Sequence, residues 1–227
     1  CGLLGAKNYQ IGTREFYEQV DRNRYEEYAP WMKSVMEFDR YGGQSVLEIG
    51  FGMGTDLFQF ARAGARTFGV DLSPQHLEIA RKRFEIYGLE TNLQLADTEH
   101  LPFADETFDV VYSFGVIHHT PDTEKAVAEI RRVLKPGGKA ILAVYHRDSA
   151  FHLCVFGGYL LHLRFFRESY RENLSRIEYR EQSDACPLVK LYSRKQFATL
   201  LRDFSSISIE CNHLDPTHFG FLQGMIS

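Results

Sequence analysis

The spacing of apolar positions changes several times along this chain, and each change marks an element. Residues 14–40 set Phe16, Tyr17, Val20, Tyr25, Tyr28, Trp31, Val35, Met36 and Phe38 among charges. That pattern predicts one or two amphipathic helices with a break at Pro30. From residue 45 the rhythm alternates. Short apolar runs at 45–49, 67–70, 92–96, 108–113 and 140–145 read as strands, and segments of helical period at 54–63, 74–87 and 123–134 lie between them. The punctuation agrees with this division. Gly42-Gly43 precedes the first strand, Gly64 and Gly88 close two helices, and Pro136-Gly137-Gly138 stops a third. Ser73-Pro74 offers a capping side chain followed by proline at the first helical position.

Alternation of strand and helix specifies a parallel sheet with helices on both faces. After the fifth strand the rhythm breaks. Residues 150–180 are helical in pattern and rich in aromatics and arginines, as an insertion would be. It resumes at 193–204, where Ser193 and Gln196 can form a capping box, and Ile207 and Ile209 suggest a strand over 206–211. One domain of four parts results: an N-terminal helical lid (1–44), a core (45–146), a helical insertion (147–190) and a C-terminal helix with its strand (191–227). There are no internal repeats or low-complexity tracts.

Composition narrows the function classes. With 227 residues, 44% hydrophobic and 25% charged, the chain can bury a substantial core. A net charge of −4 offers no electrostatic reason to expect nucleic acid as a partner. Four scattered cysteines (Cys1, Cys154, Cys186, Cys211) form no CxxC pair, which argues against zinc or a disulfide framework and points to a reducing cytoplasm. No apolar run reaches the length of a membrane span. The chain starts at Cys1 without Met or a secretory signal, which suggests a fragment or a processed product. A lipoprotein-type N-terminal cysteine is the alternative.

The most informative stretch is Val46-Leu47-Glu48-Ile49-Gly50-Phe51-Gly52-Met53-Gly54-Thr55. It reads as a buried strand, an acid, three alternate glycines and a helix start. Such a loop lets a cofactor lie against bare backbone at a helix N-terminus. A dinucleotide site wants G-x-G-x-x-G, but here Gly54 comes one place early and Thr55 stands where the third glycine belongs. Glu48 would also repel a pyrophosphate, whereas it would stabilise a cationic ligand.

These residues resemble the first motif, D/E-x-G-x-G-x-G, of the class I S-adenosylmethionine-dependent methyltransferases, particularly the small-molecule, quinone-biosynthesis-like enzymes. The resemblance continues through Gly69-Val70-Asp71-Leu72-Ser73, Ala96-Asp97, Leu101-Pro102-Phe103, Phe108-Asp109-Val110-Val111, His118-His119 and Arg132-Val133-Leu134-Lys135-Pro136-Gly137-Gly138. It implies a Rossmann-like, mostly parallel seven-stranded sheet that ends in an antiparallel hairpin of strands six and seven. Residues 206–214 would serve as the sixth strand. The seventh would come from Phe219-Gly220-Phe221-Leu222 or be missing, which would leave an exposed edge.

The resemblance implies S-adenosyl-L-methionine as cofactor and S-adenosyl-L-homocysteine as product. The backbone at Gly50, Phe51, Gly52, Met53 and Gly54 would receive it, and Glu48 would face its positive charge. Asp71, ending the second strand, would accept from both ribose hydroxyls. Leu72 would cover the adenine face. Asp97 would accept from the adenine amino group, with the Thr98 amide beside it, and Ser113 would line the pocket. Each position also has a plainer reading. Asp71 can start a helix, Asp97 can make a turn, Glu48 can cap the loop and Leu72 can be core. For Asp56, in the first helical turn, stabilisation by the helix dipole stands level with ligand contact.

Methyl transfer from a sulfonium is an in-line displacement, so the protein mainly aligns the acceptor and excludes water. A base is needed only if the acceptor loses a proton. His118 and His119, on the loop after the fourth strand, are the candidates for orienting or deprotonating it. The alternative is that His119 braces the loop by hydrogen bonding. Tyr112, Ser113 and Tyr145 are weaker candidates for the pocket wall.

The acceptor cap would come from Tyr17, Tyr25, Tyr28 and Trp31 and from the insertion, although aromatics at helical spacing are commonly core. The apolar start of the insertion, Phe151 to Leu161, can roof a hydrophobic acceptor, lie on a membrane surface or pack onto the domain. Arg164, Arg167 and Arg171 share a face that suits an anion or a lipid headgroup. The i,i+4 pairs Arg164–Glu168 and Glu172–Arg176 favour a solvated face instead. The reading is a cytoplasmic methyltransferase acting on a small molecule. A non-catalytic protein that binds the cofactor and an NAD(P)-dependent oxidoreductase are the alternatives.

Overall fold

Five parallel strands carry the fold in the computed structural model, which describes residues 6–161, 169, 170, 172, 174, 175 and 188–211. In chain order the elements are α1 (Arg14–Arg22), a π-helical turn (Asn23–Tyr28), α2 (Met32–Met36), β1 (Ser45–Ile49), α3 (Thr55–Arg62), β2 (Arg66–Asp71) and α4 (Pro74–Tyr87). Then follow β3 (Asn92–Leu95), β4 (Phe108–Phe114), α5 (Thr123–Val133), β5 (Leu134–Ala143), α6 (Ala150–Leu161) and α7 (Arg194–Leu200).

The strand order is β3-β2-β1-β4-β5. β1 lies at the centre, buried along its whole length because helices cover both faces. Leu47 and Ile49 point into a core shared with Ile130 and Val133 of α5 and Phe197 of α7. Val46 points the other way, onto Phe60 of α3 and Met32 and Met36 of α2. The strand order reverses between β2 and β4 on either side of β1. Ligands of open α/β sheets bind beyond the carboxyl ends of the strands at such a switch point.

Local signals placed most boundaries. The Ser73 hydroxyl accepts the His76 N–H at the start of α4, with Pro74 in the first turn and Gly88 closing the helix in the left-handed conformation. Ser193 and Gln196 form the full capping box of α7. Pro30 separates the π turn from α2.

Three expectations need correction. β5 begins at Leu134, not at 140, because Phe108 pairs with Leu134 and Val110 with Lys139. The Pro136-Gly137-Gly138 run is therefore a bulge inside the ladder. Residues 206–211 form no strand. Ile209 packs on the core and Ile207 stays exposed, so apolar alternation here marks a surface-hugging coil. The sheet consequently has five strands among the described residues rather than seven, and Phe219 to Leu222 lie outside them. Arg164, Arg167, Arg171 and the partners of both predicted i,i+4 pairs, except Glu172, also lie outside. No helix among the described residues is long and apolar enough to cross a membrane, and no cluster of three or more His, Cys, Asp or Glu there could hold a metal.

Candidate cofactor and acceptor site

The glycine loop leaves β1 by a turn that needs glycine. Gly50 has φ +73°, and a Cβ there would sit 2.3 Å from Cγ2 of Val116. Its N–H donates to the Val70 carbonyl at 2.7 Å, which ties the loop to β2. Gly52 has φ +53° with open space where a Cβ would be. The side chains between the glycines turn away. Phe51 is buried against Leu57, Ala80 and Phe84, and Met53 packs with Phe16, Tyr17 and Val20 of α1. A ligand over this loop would meet its backbone, at the N-terminus of α3.

Asp71 joins that loop to the end of β2. Its Oδ2 accepts the Gly52 N–H at 2.9 Å, and its Oδ1 accepts the Ser73 N–H at 2.9 Å and lies 3.2 Å from Nδ1 of His76. Burial opposes ionisation, but the bonds from His76, Ser73 and Gly52 outweigh it and hold the carboxyl below its ordinary value.

Glu48 lies at the same switch point, on the α3 face of β1. Its side chain is fully buried. One interaction comes from the Leu57 N–H, and Oε2 has no hydrogen-bond partner among the described residues. Burial first, and the neighbouring charge of Asp56 second, push its carboxyl well above the ordinary range, against the pull of Arg24. A buried acceptor without a donor is costly unless something supplies one.

Asp56 lies in the first turn of α3, where the helix dipole favours a carboxylate, and it has a further job that the sequence did not show. It is buried in a bidentate pair with Arg24, Nη2 to Oδ2 at 2.7 Å and Nε to Oδ1 at 3.3 Å. The hydroxyls of Tyr25 and Tyr112 donate to it at 2.7 and 2.8 Å. The Arg24 guanidinium also lies 4.5 Å from the centre of the Phe114 ring. A second ion pair, Asp21 with fully buried Arg83, fastens α1 to α4. The N-terminal segment is thus bolted across the start of α3. Tyr17, Tyr25 and Tyr112 are core residues, not pocket wall, while Trp31 leans on Phe114 at 6.3 Å. Arg24 was missed in the sequence because one cation among several on an amphipathic stretch looks solvated. Its position among aromatics, eight residues after Phe16, was the available signal.

The remaining cofactor candidates divide. Leu72 is 72% exposed at the carboxyl edge, so it is not core. Asp97 makes an Asx turn, accepting the Glu99 N–H at 2.9 Å, while its side chain stays accessible. Thr98 beside it is buried. Ser113 is fully buried, and its hydroxyl donates to the Ile49 carbonyl at 3.4 Å, bracing β1 against β4.

Beyond β4 and β5 the histidines gather. His118 is fully buried and stacks between His119 and Tyr145, at 4.0 and 4.2 Å between ring centres. Nδ1 of His119 lies 2.7 Å from the Leu188 carbonyl, so it carries the hydrogen of that bond and braces the loop. His152 of α6, which the sequence reading did not single out, packs near Tyr145 at 6.4 Å. Residues 188–192 run alongside: the Lys190 N–H donates to the His118 carbonyl and the Tyr192 N–H to that of Tyr145. A cleft of about 650 Å³ lined by Val127, Arg131 and Lys135 opens at the opposite, amino edge of the sheet and touches none of these groups.

The chemistry of this edge suits an adenosyl cation. The glycine backbone leaves room for a ligand, Asp71 offers a carboxylate to hydroxyls, exposed Leu72 offers an apolar cover, and the Glu48 oxygen without a donor suits a positive group.

Comparison with known proteins bears on the same region. Residues 47–142 match the family described as a methyltransferase domain. The chain is 39% identical over 108 residues to the methyltransferase GfsG of Streptomyces halstedii, covering 46% of this chain and 39% of that one. It is 36% identical over 143 residues to the demethylmenaquinone methyltransferase of Thermobifida fusca, covering 62% and 57%. The chain thus spans about half the length of the curated relatives it matches, or less. The PH0226 protein of Pyrococcus horikoshii shares the fold, with a TM-score of 0.57 at 23% identity over 84% of this chain and 89% of that one.

Proposed function

We propose that this chain, whose residues 47–142 match the methyltransferase-domain family, is a class I S-adenosylmethionine-dependent methyltransferase that transfers a methyl group to a small-molecule acceptor. The observation that carries the reading is the pairing of two acids at one switch point. Asp71 presents a carboxylate bonded to the Gly52 N–H, and Glu48 presents a buried oxygen with no donor.

When bound, the cofactor supplies a methyl group already activated by its sulfonium. The residues of the chain hold and orient. The backbone from Gly50 to Gly54 receives the methionine part, and Asp71 takes the ribose hydroxyls. Leu72 covers the adenine, and Asp97 with the Thr98 amide reads its edge. Glu48 offsets the positive charge. Ser113 acts indirectly, by fixing β1 to β4. Alignment of an acceptor with the transferable group can supply on the order of 7–11 kcal/mol, so no further catalytic group is required for a nucleophile that has no proton to lose. For an acceptor that must lose a proton, His118 is the candidate to take it, and His119 holds the loop.

An apolar acceptor is the favoured class. Leu153, Phe156 and Leu160 are exposed on α6, the helix whose His152 lies near Tyr145, and the Thermobifida fusca relative is named for demethylmenaquinone. Contact of α6 with a membrane surface is compatible with the same residues. A cytoplasmic location is part of this reading, since scattered cysteines suit a reducing compartment. Calorimetric titration with S-adenosylmethionine and with NADH, followed by methyl-transfer assays on pooled apolar metabolites, tests it. Saturable binding of NADH alone would overturn the cofactor assignment. Cofactor binding with no transfer to any pool would favour a non-catalytic binder.

A further inference from the structure

A carboxylate offers about four lone-pair positions, two on each oxygen. On Asp71 three are already taken. Oδ1 accepts from the Ser73 N–H and from Nδ1 of His76, which must carry the hydrogen because a carboxylate only accepts. Oδ2 accepts from the Gly52 N–H. Among the described residues Oδ1 is therefore full, and Oδ2 keeps one position open. A ribose grips a carboxylate through two adjacent hydroxyls, one on each oxygen, so it needs an open position on both.

One of the three donors has to yield. The Gly52 N–H is fixed by its loop, where the Gly50 N–H bonds Val70 at 2.7 Å and the Gly54 N–H bonds Phe51 at 2.8 Å. Ser73 is the N-cap of α4, and its own hydroxyl is engaged by the His76 N–H. Both are backbone donors locked by neighbouring bonds. The His76 ring is different: it is a side chain, 46% exposed, that can rotate into solvent.

We propose that His76 is a specificity-determining residue, which occupies the second ribose position on Asp71 in the free protein and must surrender it to a ligand bearing a vicinal diol. This deepens the S-adenosylmethionine reading and rests on it. His76 then imposes a cost on diol ligands that it does not impose on a ligand with a single ribose hydroxyl, which needs only the open position on Oδ2.

The test is a cycle of ligands against variants, read by calorimetry at one pH, with thermal melts to show that each variant is folded. The ligands are S-adenosylhomocysteine and its 2′-deoxy analogue. His76→Leu should tighten binding of the diol ligand by about threefold to tenfold, the worth of one hydrogen bond, and change the deoxy ligand by less than about twofold. His76→Gln, which keeps a donor, should hold the wild-type ratio. An equal change for both ligands, or weaker diol binding in His76→Leu, would overturn the proposal while leaving the function reading intact. Failure of the wild-type chain to bind either ligand or S-adenosylmethionine would instead overturn the function reading itself.

Discussion

The carboxylate of Asp71, at the end of β2, accepts the backbone N–H of Gly52 in the middle of the glycine loop at 2.9 Å. Two parts of the site that are 19 residues apart in sequence are therefore locked together before any ligand arrives. The acid that would bind the ribose also shapes the loop that would receive the methionine part.

Asp71→Ala should accordingly lose more than a ribose contact. Calorimetry should show S-adenosylmethionine binding weakened at least about tenfold, or about 1.4 kcal/mol, with Asp71→Asn losing less because its amide oxygen still accepts. Unchanged affinity in a folded Asp71→Ala chain would remove Asp71 from the site. Gly52→Val should weaken binding at least as much, by raising a side chain over the ligand face of the loop.

Glu48→Gln separates stability from binding. The folded-state carboxyl is raised, so the native chain keeps a proton that the unfolded chain releases near pH 4. Stability from this group is thus complete below about pH 4 and falls as pH rises toward its folded value. The variant should lack that slope. Melting curves should show it more stable than wild type at pH 8 and converging with it near pH 4. Its affinity for S-adenosylmethionine should drop about tenfold, because a bound cation would draw the proton off Glu48 and an amide cannot ionise. A variant less stable than wild type at pH 8 would contradict the charge argument.

Arg24→Ala leaves Asp56 buried without its counter-ion. Chemical denaturation should show a loss of about 3–5 kcal/mol. Asp56→Asn added to it should recover part of that loss, because an amide can still accept from Tyr25 or Tyr112. Independent, additive losses would mean that the pair is not coupled.

Gly50→Ala tests the turn. It combines a strained left-handed φ with a Cβ driven into Val116, and should cost at least about 2 kcal/mol of stability. Val116→Ala in the same chain should return only the steric share. Full recovery would mean that the φ value carries no strain.

Several features were readable because their signals are local. A serine before a proline announced α4, and glycine after Tyr87 closed it. Alternating glycines behind an acid announced the left-handed turn from β1 into α3. Other features were not readable, because their partners lie far apart in sequence. Nothing near Asp56 shows that it belongs to Arg24, which is 32 residues earlier. The alternating Ile207 and Ile209 resemble a strand, yet a strand exists only where a neighbour completes its ladder. The bulge at Pro136-Gly137-Gly138 likewise depends on how β4 lies beside it.

By itself the amino-acid sequence determined the parallel α/β alternation, the glycine loop and the acids at the strand ends, since these follow from apolar period and backbone sterics. Only the tertiary structure decided which of the polar residues are tied into the frame and which stand at the switch point. It gave Asp56, Tyr112 and Ser113 to the frame and left Asp71 and Glu48 at the switch point. That division is set by burial and by the hydrogen-bond partners brought in from distant segments.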